Sequence, residues 1–313
     1  MNFYNFPHNF NPESNFFRSM ISKAQDLYGV DPNVVDFYGA YPIENIFSKI
    51  KLFIESKFSE KKMKVWLERQ HGISEIFENN NFNIWATFEN RRPSIESFDL
   101  TLSFDLDTFN ERNFYLPLIY LYLKVEGLPE YSTIHDVTLE YCSTRREISK
   151  DLAKYRNKFA VSFINNPQPL RFTAINELKK ISEVDVFGRS VGNYVENKID
   201  TAKNYWFNLC FENDLYPGYV TEKILEAWLS QSIPLYWGDD NGGVLNPDAY
   251  INLAQFKDLR EFTSYVAMIY KNKNRMIEMI EQPLFQKKFE VDKLIEFIGA
   301  GWRRKFRSQV KDS

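Results

Sequence analysis

Apolar positions along the chain switch repeatedly between runs and helical spacing. "YWFNLCF", Tyr205–Phe211, is an apolar run interrupted only by Asn208, the mark of a strand buried on both faces. Helical spacing follows from about Thr221 to Ser230, and Ile233–Trp237 returns to a short apolar run. "KFAVSFINNPQPLRFTAINELKKISEVDVFG", beginning at Lys158, reads as strand, loop, helix, strand. In the first half, "NVVDFYGAYP" predicts a strand closed by Gly39 and Pro42, and "FNIWATFENRRP" a strand that breaks at Glu89-Asn90. "FDLTLSFDLD" predicts another, while "NIFSKIKLFIESKFSEKKMKVWLERQ" has helical spacing and abundant Lys and Glu. Strands alternating with helices predict an α/β protein of parallel sheets covered by helices.

Length turns this into two domains, because 313 residues at roughly 150 per domain favour a pair. The charged segment "RREISKDLAKYRNK" marks the expected boundary, giving 1–150 and 151–313. A net charge of −3 argues against a nucleic-acid partner. No window approaches the roughly 18 apolar residues that a membrane span needs. The Asn-rich start is not a signal peptide, and the expected location is cytoplasmic. Cys142 and Cys210 lie far apart and read as free thiols. His8, His71 and His135 are too scattered for a zinc site. Aromatic residues, at 17%, are expected chiefly in the core.

Candidate chemistry gathers where strands hand over to helices. Glu212 and Asn213 end the strand at Phe211, Gly218 permits a close turn, and Lys223 falls in the first turn of the next helix. "NNPQPLR" brings Arg171 to the corresponding place in the preceding unit. In open parallel sheets ligands sit beyond the carboxyl ends of strands, and a helix start favours an anion. Two cations at two such junctions suit a diphosphate. Glu222 beside Lys223 also fits a solvated helix start, and Arg171 also fits a cap on a neighbouring element. Neither G-x-G-x-x-G nor a P-loop is present.

The pattern F-x-L-x-F-E-N, four further residues, then G-Y-V-T-E-K-I, from Phe207 to Ile224, closely resembles the signature of the α-1,3/4-fucosyltransferases, glycosyltransferase family 10. "FNPESNFF", "WATFENRRPSIESFDLTLSFDLDTFNERNFYLPL", "KFAVSFINNPQPLR" and "VFGRSVGNYVENK" resemble other family segments, in order. The resemblance implies a GT-B fold, two Rossmann-like domains facing across a cleft. The N-terminal one would take the acceptor and the C-terminal one GDP-fucose. It implies that Arg171 and Lys223 bind the diphosphate and that Glu222 binds ribose or sugar hydroxyls. Asn213, Tyr219, Val220 and Thr221 would line the donor pocket, and Val195, Glu196, Asn197 and Lys198 would approach the nucleotide.

The implied reaction is an inverting transfer of L-fucose to the GlcNAc hydroxyl of a galactosyl-GlcNAc acceptor, as in Lewis-type antigens of lipopolysaccharide. Glu89 matches the family's base, and Glu96, Asp99 and Asp36 are competing carboxylates. Glu89 beside Arg91 and Arg92 also reads as an ordinary surface ion pair. Two cations already neutralise the diphosphate, so no metal or other cofactor is expected, and Asp105-x-Asp107 reads as capping carboxylates. Three departures from the family stand out: Phe88 before Glu89, a flexible loop at Asp239–Gly243, and the lack of heptad repeats. The basic terminus "GWRRKFRSQVKDS" suggests either peripheral contact with an anionic membrane or a solvated helix packed across the domains. A microbial source is expected. Rival readings are a transferase for another GDP-linked deoxysugar and a non-catalytic GDP-sugar-binding module.

Overall fold

The computed structural model describes residues 35–39, 63–68, 82–87, 98–124, 137–148, 152 and 156–310. It divides into two compact units. One comprises Met1–Leu116, Lys124–Asp136 and Phe289–Ser313, and the other Pro117–Leu123 and Val137–Lys288.

The first unit is built on a five-stranded sheet in the order β1-β2-β3-β4-β5. Its strands are β1 (Val35–Gly39), β2 (Met63–Glu68), β3 (Phe82–Thr87), β4 (Leu100–Ser103) and β5 (Asn113–Tyr115), all paired in parallel. The strand β2 departs from expectation, since "MKVWLE" was read as the end of a helix. A Lys-rich flank supplied the helical spacing. Pairing between β1 and β3 overrides it, because a strand hydrogen-bonded on both edges satisfies every backbone group without local propensity.

Residues 289–313 were expected with the second domain, but they group with the first unit. The terminal helix Val291–Val310 packs Trp302 edge-on against Phe82 at 5.5 Å and Phe297 against Phe114 at 5.4 Å. Gly301 allows the approach, because a Cβ there would lie 2.6 Å from a Leu100 methyl. Lys305 pairs with Asp99 at 2.6 Å on the same unit. An amphipathic helix is held by the surface its apolar face finds, not by its nearest neighbour in sequence.

The second unit alternates β6 (Lys158–Phe163), a helix Pro169–Leu178, β7 (Val184–Phe187), a helix Lys198–Ala202, and β8 (Tyr205–Phe211). A helix Glu222–Leu229, β9 (Ile233–Trp237) and β10 (Ile251–Asn252) follow. The helices from Leu139 to Leu229 are named α1 (Leu139–Cys142), α2 (Pro169–Leu178), α3 (Lys198–Ala202) and α4 (Glu222–Leu229). The sheet is parallel with order β10-β9-β8-β6-β7, so the chain reverses direction between β6 and β8. All seven residues of β8 are buried, as its apolar run requires.

The segment 137–148 belongs to this unit, earlier than the expected boundary. Arg146 lies buried over Trp228 at 3.6 Å and donates to the carbonyl oxygens of Trp228 and Ile280. Arg156 likewise donates to Lys203, Ser230 and Gln231 carbonyls. Arg146 and Arg156, in the charged segment expected to mark the domain boundary, are therefore caps on the carboxyl ends of α4 and α3.

Candidate functional site at the switch point of the second sheet

The reversal between β6 and β8 leaves a gap beyond their carboxyl ends, the usual ligand position in such a sheet. Arg171 fills the base of that gap. It is 7% exposed, and its Nη2 donates to the carbonyls of Phe211 (2.7 Å) and Glu212 (3.0 Å) and to Asn213 Oδ1 (3.0 Å). Nη1 donates to the Asn166 carbonyl at 2.7 Å. Gln168, at the N-cap of α2, leaves its own helix uncapped and donates to the Asn213 carbonyl at 2.9 Å. Arg171 thus ties the two junctions together, as the capping alternative foresaw. Nη2 is already engaged by three acceptors, which leaves Nε and one Nη1 hydrogen for a ligand among the described residues. The parallel two-bond grip typical of arginine is not on offer in this geometry.

The loop between β8 and α4 is closed by Glu212. This carboxylate is fully buried and accepts from Thr221 N (2.8 Å), Thr221 Oγ1 (2.7 Å) and Tyr236 OH (3.2 Å). It also pairs with Lys223 Nζ at 3.1 Å. Gly218, with φ of +83°, makes the turn that returns the chain, and its N–H donates to the Asp239 carbonyl at 3.0 Å. Sequence reading placed Glu212 at the seam without giving it a role. Its burial was the missing signal, and burial depends on partners nine and twenty-four residues away.

Electrostatics follow from this packing. Burial opposes the charge on Lys223, but Glu212, Glu222 and Tyr219 outweigh it and hold the ammonium protonated. Burial likewise pushes the Glu222 carboxyl up, yet Lys223 and Lys198 outweigh it and keep it below the usual carboxylate range. For Arg171 burial wins, pulling its pKa down against Glu212, Tyr219 and Glu222. Lys223 contacts Thr221 Oγ1 at 2.9 Å and Glu222 Oε1 at 3.4 Å, so its charge is shared among three oxygens.

Arg171, Asn213, Thr221, Glu222 and Lys223 are thus brought together at one edge of one sheet. Tyr219 and Val220 are buried between them, and the Val220 carbonyl accepts from Ile119 N at 3.0 Å. Lys198 reaches α4 through Glu226 at 3.3 Å, and Asn197 caps α3 by accepting from Asp200 N. Val195 is half-buried and Glu196 exposed in the loop before them. Glu89, Phe88, Glu96, Arg91 and Arg92 lie outside the described residues, and Asp36 is described in β1 by its backbone alone.

Two further loops carry carboxylates. Asp107 accepts from Phe109 N at 2.8 Å and Asp105 from Asp107 N at 3.2 Å, which makes them turn caps. No cluster of metal-ligating side chains occurs among the described residues. The loop expected to be flexible at Asp239–Gly243 is instead pinned. Asp240 accepts from Val244 N and Leu245 N, and Lys287 donates to the Gly242 carbonyl at 2.8 Å.

Residues 153–295, which contain this whole assembly, match the family model described as glycosyltransferase family 10 (fucosyltransferase) C-term. An α-(1,3)-fucosyltransferase from Helicobacter pylori is 30% identical over 228 residues, 66% of this chain and 48% of that protein. Residues 153–295 carry a glycosyltransferase family 10 domain. Another relative, a putative fucosyltransferase from Acanthamoeba polyphaga mimivirus, is 25% identical over 75% of this chain and 39% of its own length. A third, from Mus musculus, is named 4-galactosyl-N-acetylglucosaminide 3-alpha-L-fucosyltransferase 9. It is 33% identical over 34% of this chain and 31% of its own length. The chain therefore spans about half, or less, of the length of these relatives.

Solved structures share the fold. A crystal structure of an α1,3-fucosyltransferase aligns with a TM-score of 0.61 at 22% identity, covering 86% of this chain and 88% of that one. One solved with GDP-fucose aligns with a TM-score of 0.60 over 86% and 90%. The fold class is GT-B, with two Rossmann-like parallel sheets.

Proposed function

We propose that this chain transfers L-fucose from GDP-β-L-fucose to the GlcNAc hydroxyl of an N-acetyllactosamine-type glycan, with inversion and in a single displacement. The observation that carries the reading is the placement of Arg171 and Lys223 at adjacent strand-to-helix junctions, each within a segment that resembles the family. One crystal structure sharing the fold was solved with GDP-fucose and another with GDP, which supports a nucleotide-sugar donor.

In the proposed reaction the acceptor oxygen bonds to the anomeric carbon as the bond from that carbon to the β-phosphate oxygen breaks. The electron pair leaves with GDP. A departing diphosphate is already a stable anion, so it needs positive charge more than a proton, and Arg171 and Lys223 supply two cations. Nε of Arg171 and the Lys223 ammonium would act as separate charged donors, not as a fork. Glu222, held ionised, would accept hydrogen bonds from donor hydroxyls. Glu89 would take the acceptor proton. In sequence it follows Thr87, the last residue of β3, by two residues. No metal is assigned a step.

Membrane contact narrows under this reading. Phe306 is 6% exposed and half-buried Trp302 packs edge-on against Phe82, so the tail's aromatic rings are engaged within the first unit. Two of its cations are engaged on the same unit, Lys305 with Asp99 and Arg304 with Glu111. No helix among the described residues is long and apolar enough to cross a membrane.

The test is a transfer assay pairing several GDP-sugars with a panel of β-galactosyl-GlcNAc acceptors, followed by linkage analysis. Acceptor-dependent GDP release with GDP-fucose and an α-1,3 product support the reading. Turnover with a different GDP-deoxysugar alone would replace the donor, and GDP binding without turnover would make the chain a binding module.

A further inference from the structure

We propose that Glu212 is a positioning residue for donor binding: its buried carboxylate holds the Lys223 ammonium and the first residue of the α4 cap in the arrangement a diphosphate is to meet. The inference rests on the donor reading given above and goes beyond it, because Glu212 itself touches no ligand in that scheme.

A fully buried carboxylate is expensive to keep. Its desolvation penalty is several kcal/mol, and an apolar or amide side chain would fill the same volume. Here every acceptor direction is used, by two groups of Thr221, by Tyr236 and by Lys223. Burial and the Glu212 charge together push the Tyr236 hydroxyl's pKa well up, so that group stays a donor. The backbone of Glu212 is equally fixed, its N–H donating to the Trp237 carbonyl at 2.9 Å. The side chain therefore clamps the far end of the 212–221 loop onto a rigid strand end.

Two consequences bear on a ligand. Threonine at an N-cap ordinarily accepts from the N–H two or three residues on. Thr221 makes no such bond, because its hydroxyl is turned to Glu212 at 2.7 Å and receives Lys223 at 2.9 Å. The first turn of α4 thus has no side-chain cap. The Lys223 ammonium is gripped by two shorter contacts, to Thr221 and Glu212, and by one longer contact to half-buried Glu222 at 3.4 Å. A phosphate oxygen taking the place of that longest contact would receive the ammonium without disturbing the other two. It would also release Glu222 for donor hydroxyls.

The experiment measures GDP affinity of the full chain by calorimetry between pH 6 and 10, for Glu212→Gln, Lys223→Ala and the double variant. Glutamine keeps the shape and removes the charge. The expected loss for folded Glu212→Gln is about 10- to 100-fold, as for removing one partner of a buried charge pair. The alkaline fall-off in affinity should move to lower pH, because Lys223 loses its counter-charge, and a residue that merely supports the fold would not move it. In the Lys223→Ala background the second substitution should add little. Parent-like affinity and pH profile in Glu212→Gln, or fully additive losses, would overturn the positioning role. If Glu212→Gln does not fold, Thr221→Val removes the hydroxyl relay without stranding a charge. It should give a several-fold loss with little pH shift, because Glu212 keeps its charge beside Lys223, and unchanged affinity would overturn the proposal. Parent-like GDP binding by Lys223→Ala would instead overturn the donor reading, and this role with it.

Discussion

Arg171 Nη2 and Asn213 Oδ1 meet at 3.0 Å, joining the helix that follows β6 to the loop that follows β8. The contact bridges the point where the sheet reverses order, so two segments forty-two residues apart share one electrostatic environment. Arginine here is architecture and charge at once. Arg171→Ala should therefore lower both the melting temperature and GDP affinity. Arg171→Lys should keep part of the charge while losing the carbonyl contacts to Phe211 and Glu212. Calorimetry and thermal melting of both variants check this, and a lysine variant equal to the parent in both would be the contrary result.

Lys223→Ala should weaken GDP binding by about 10-fold or more, since it removes a desolvated charge from the site. The same variant should fold, because Lys223 is half-buried and its loss leaves Glu212 three other donors. Isothermal titration against GDP reads the outcome.

Glu89→Gln should keep GDP affinity near that of the parent and cut transfer by a factor of ~10² to 10⁴, the effect of losing a general base. Separate measurement of donor binding and of kcat distinguishes this from a binding defect. Near-normal turnover would move the role to Glu96, Asp99 or Asp36. Asp99 is a weak candidate, as it pairs with Lys305 at 2.6 Å and accepts from Asn83 N.

Asp240 gives a pH signature. Burial raises its pKa to about 6, against hydrogen bonds from Val244 and Leu245 and the charge of Lys287, with Asp239 adding to the rise. A carboxyl that holds its proton more tightly when folded stabilises the native state below its unfolded pKa. That contribution is lost as pH rises from about 4 through about 6. Denaturant titrations across this window should show a component of stability falling with pH, and Asp240→Asn should remove that component.

Phe306→Ala should destabilise the first unit by about 3 kcal/mol, the usual cost of emptying a buried aromatic site. Its ring lies 6.5 Å from Phe82 and 4.5 Å from Trp302. Liposome sedimentation should be unchanged by this variant and reduced only by removing the tail's cations. A loss of liposome binding with unchanged stability would assign the Phe306 ring itself to the membrane.

Where local pattern and tertiary environment agree, the sequence was sufficient. Tyr205–Phe211 and Ile233–Trp237 are strands because seven and five consecutive apolar-rich residues suit only a strand covered on both faces. The helix between them begins at Glu222, with Thr221 as its cap residue, where the periodicity changes. The family signature lies in this same segment because ligand chemistry constrains a strand end, a turn and a helix start at once. Met63–Glu68 was misread because a strand paired on both edges owes little to its own composition.

What the chain alone determined was periodicity, which sets the elements, and the residue types at each strand end, which set the candidate chemistry. Only tertiary structure decided that Glu212 would be buried, that Arg171 would spend its Nη2 on backbone carbonyls, and that the terminal helix would lie on the first sheet. Burial and pairing depend on atoms distant in sequence, and a side chain's charge, reach and free hydrogens are properties of those neighbours as much as of the residue.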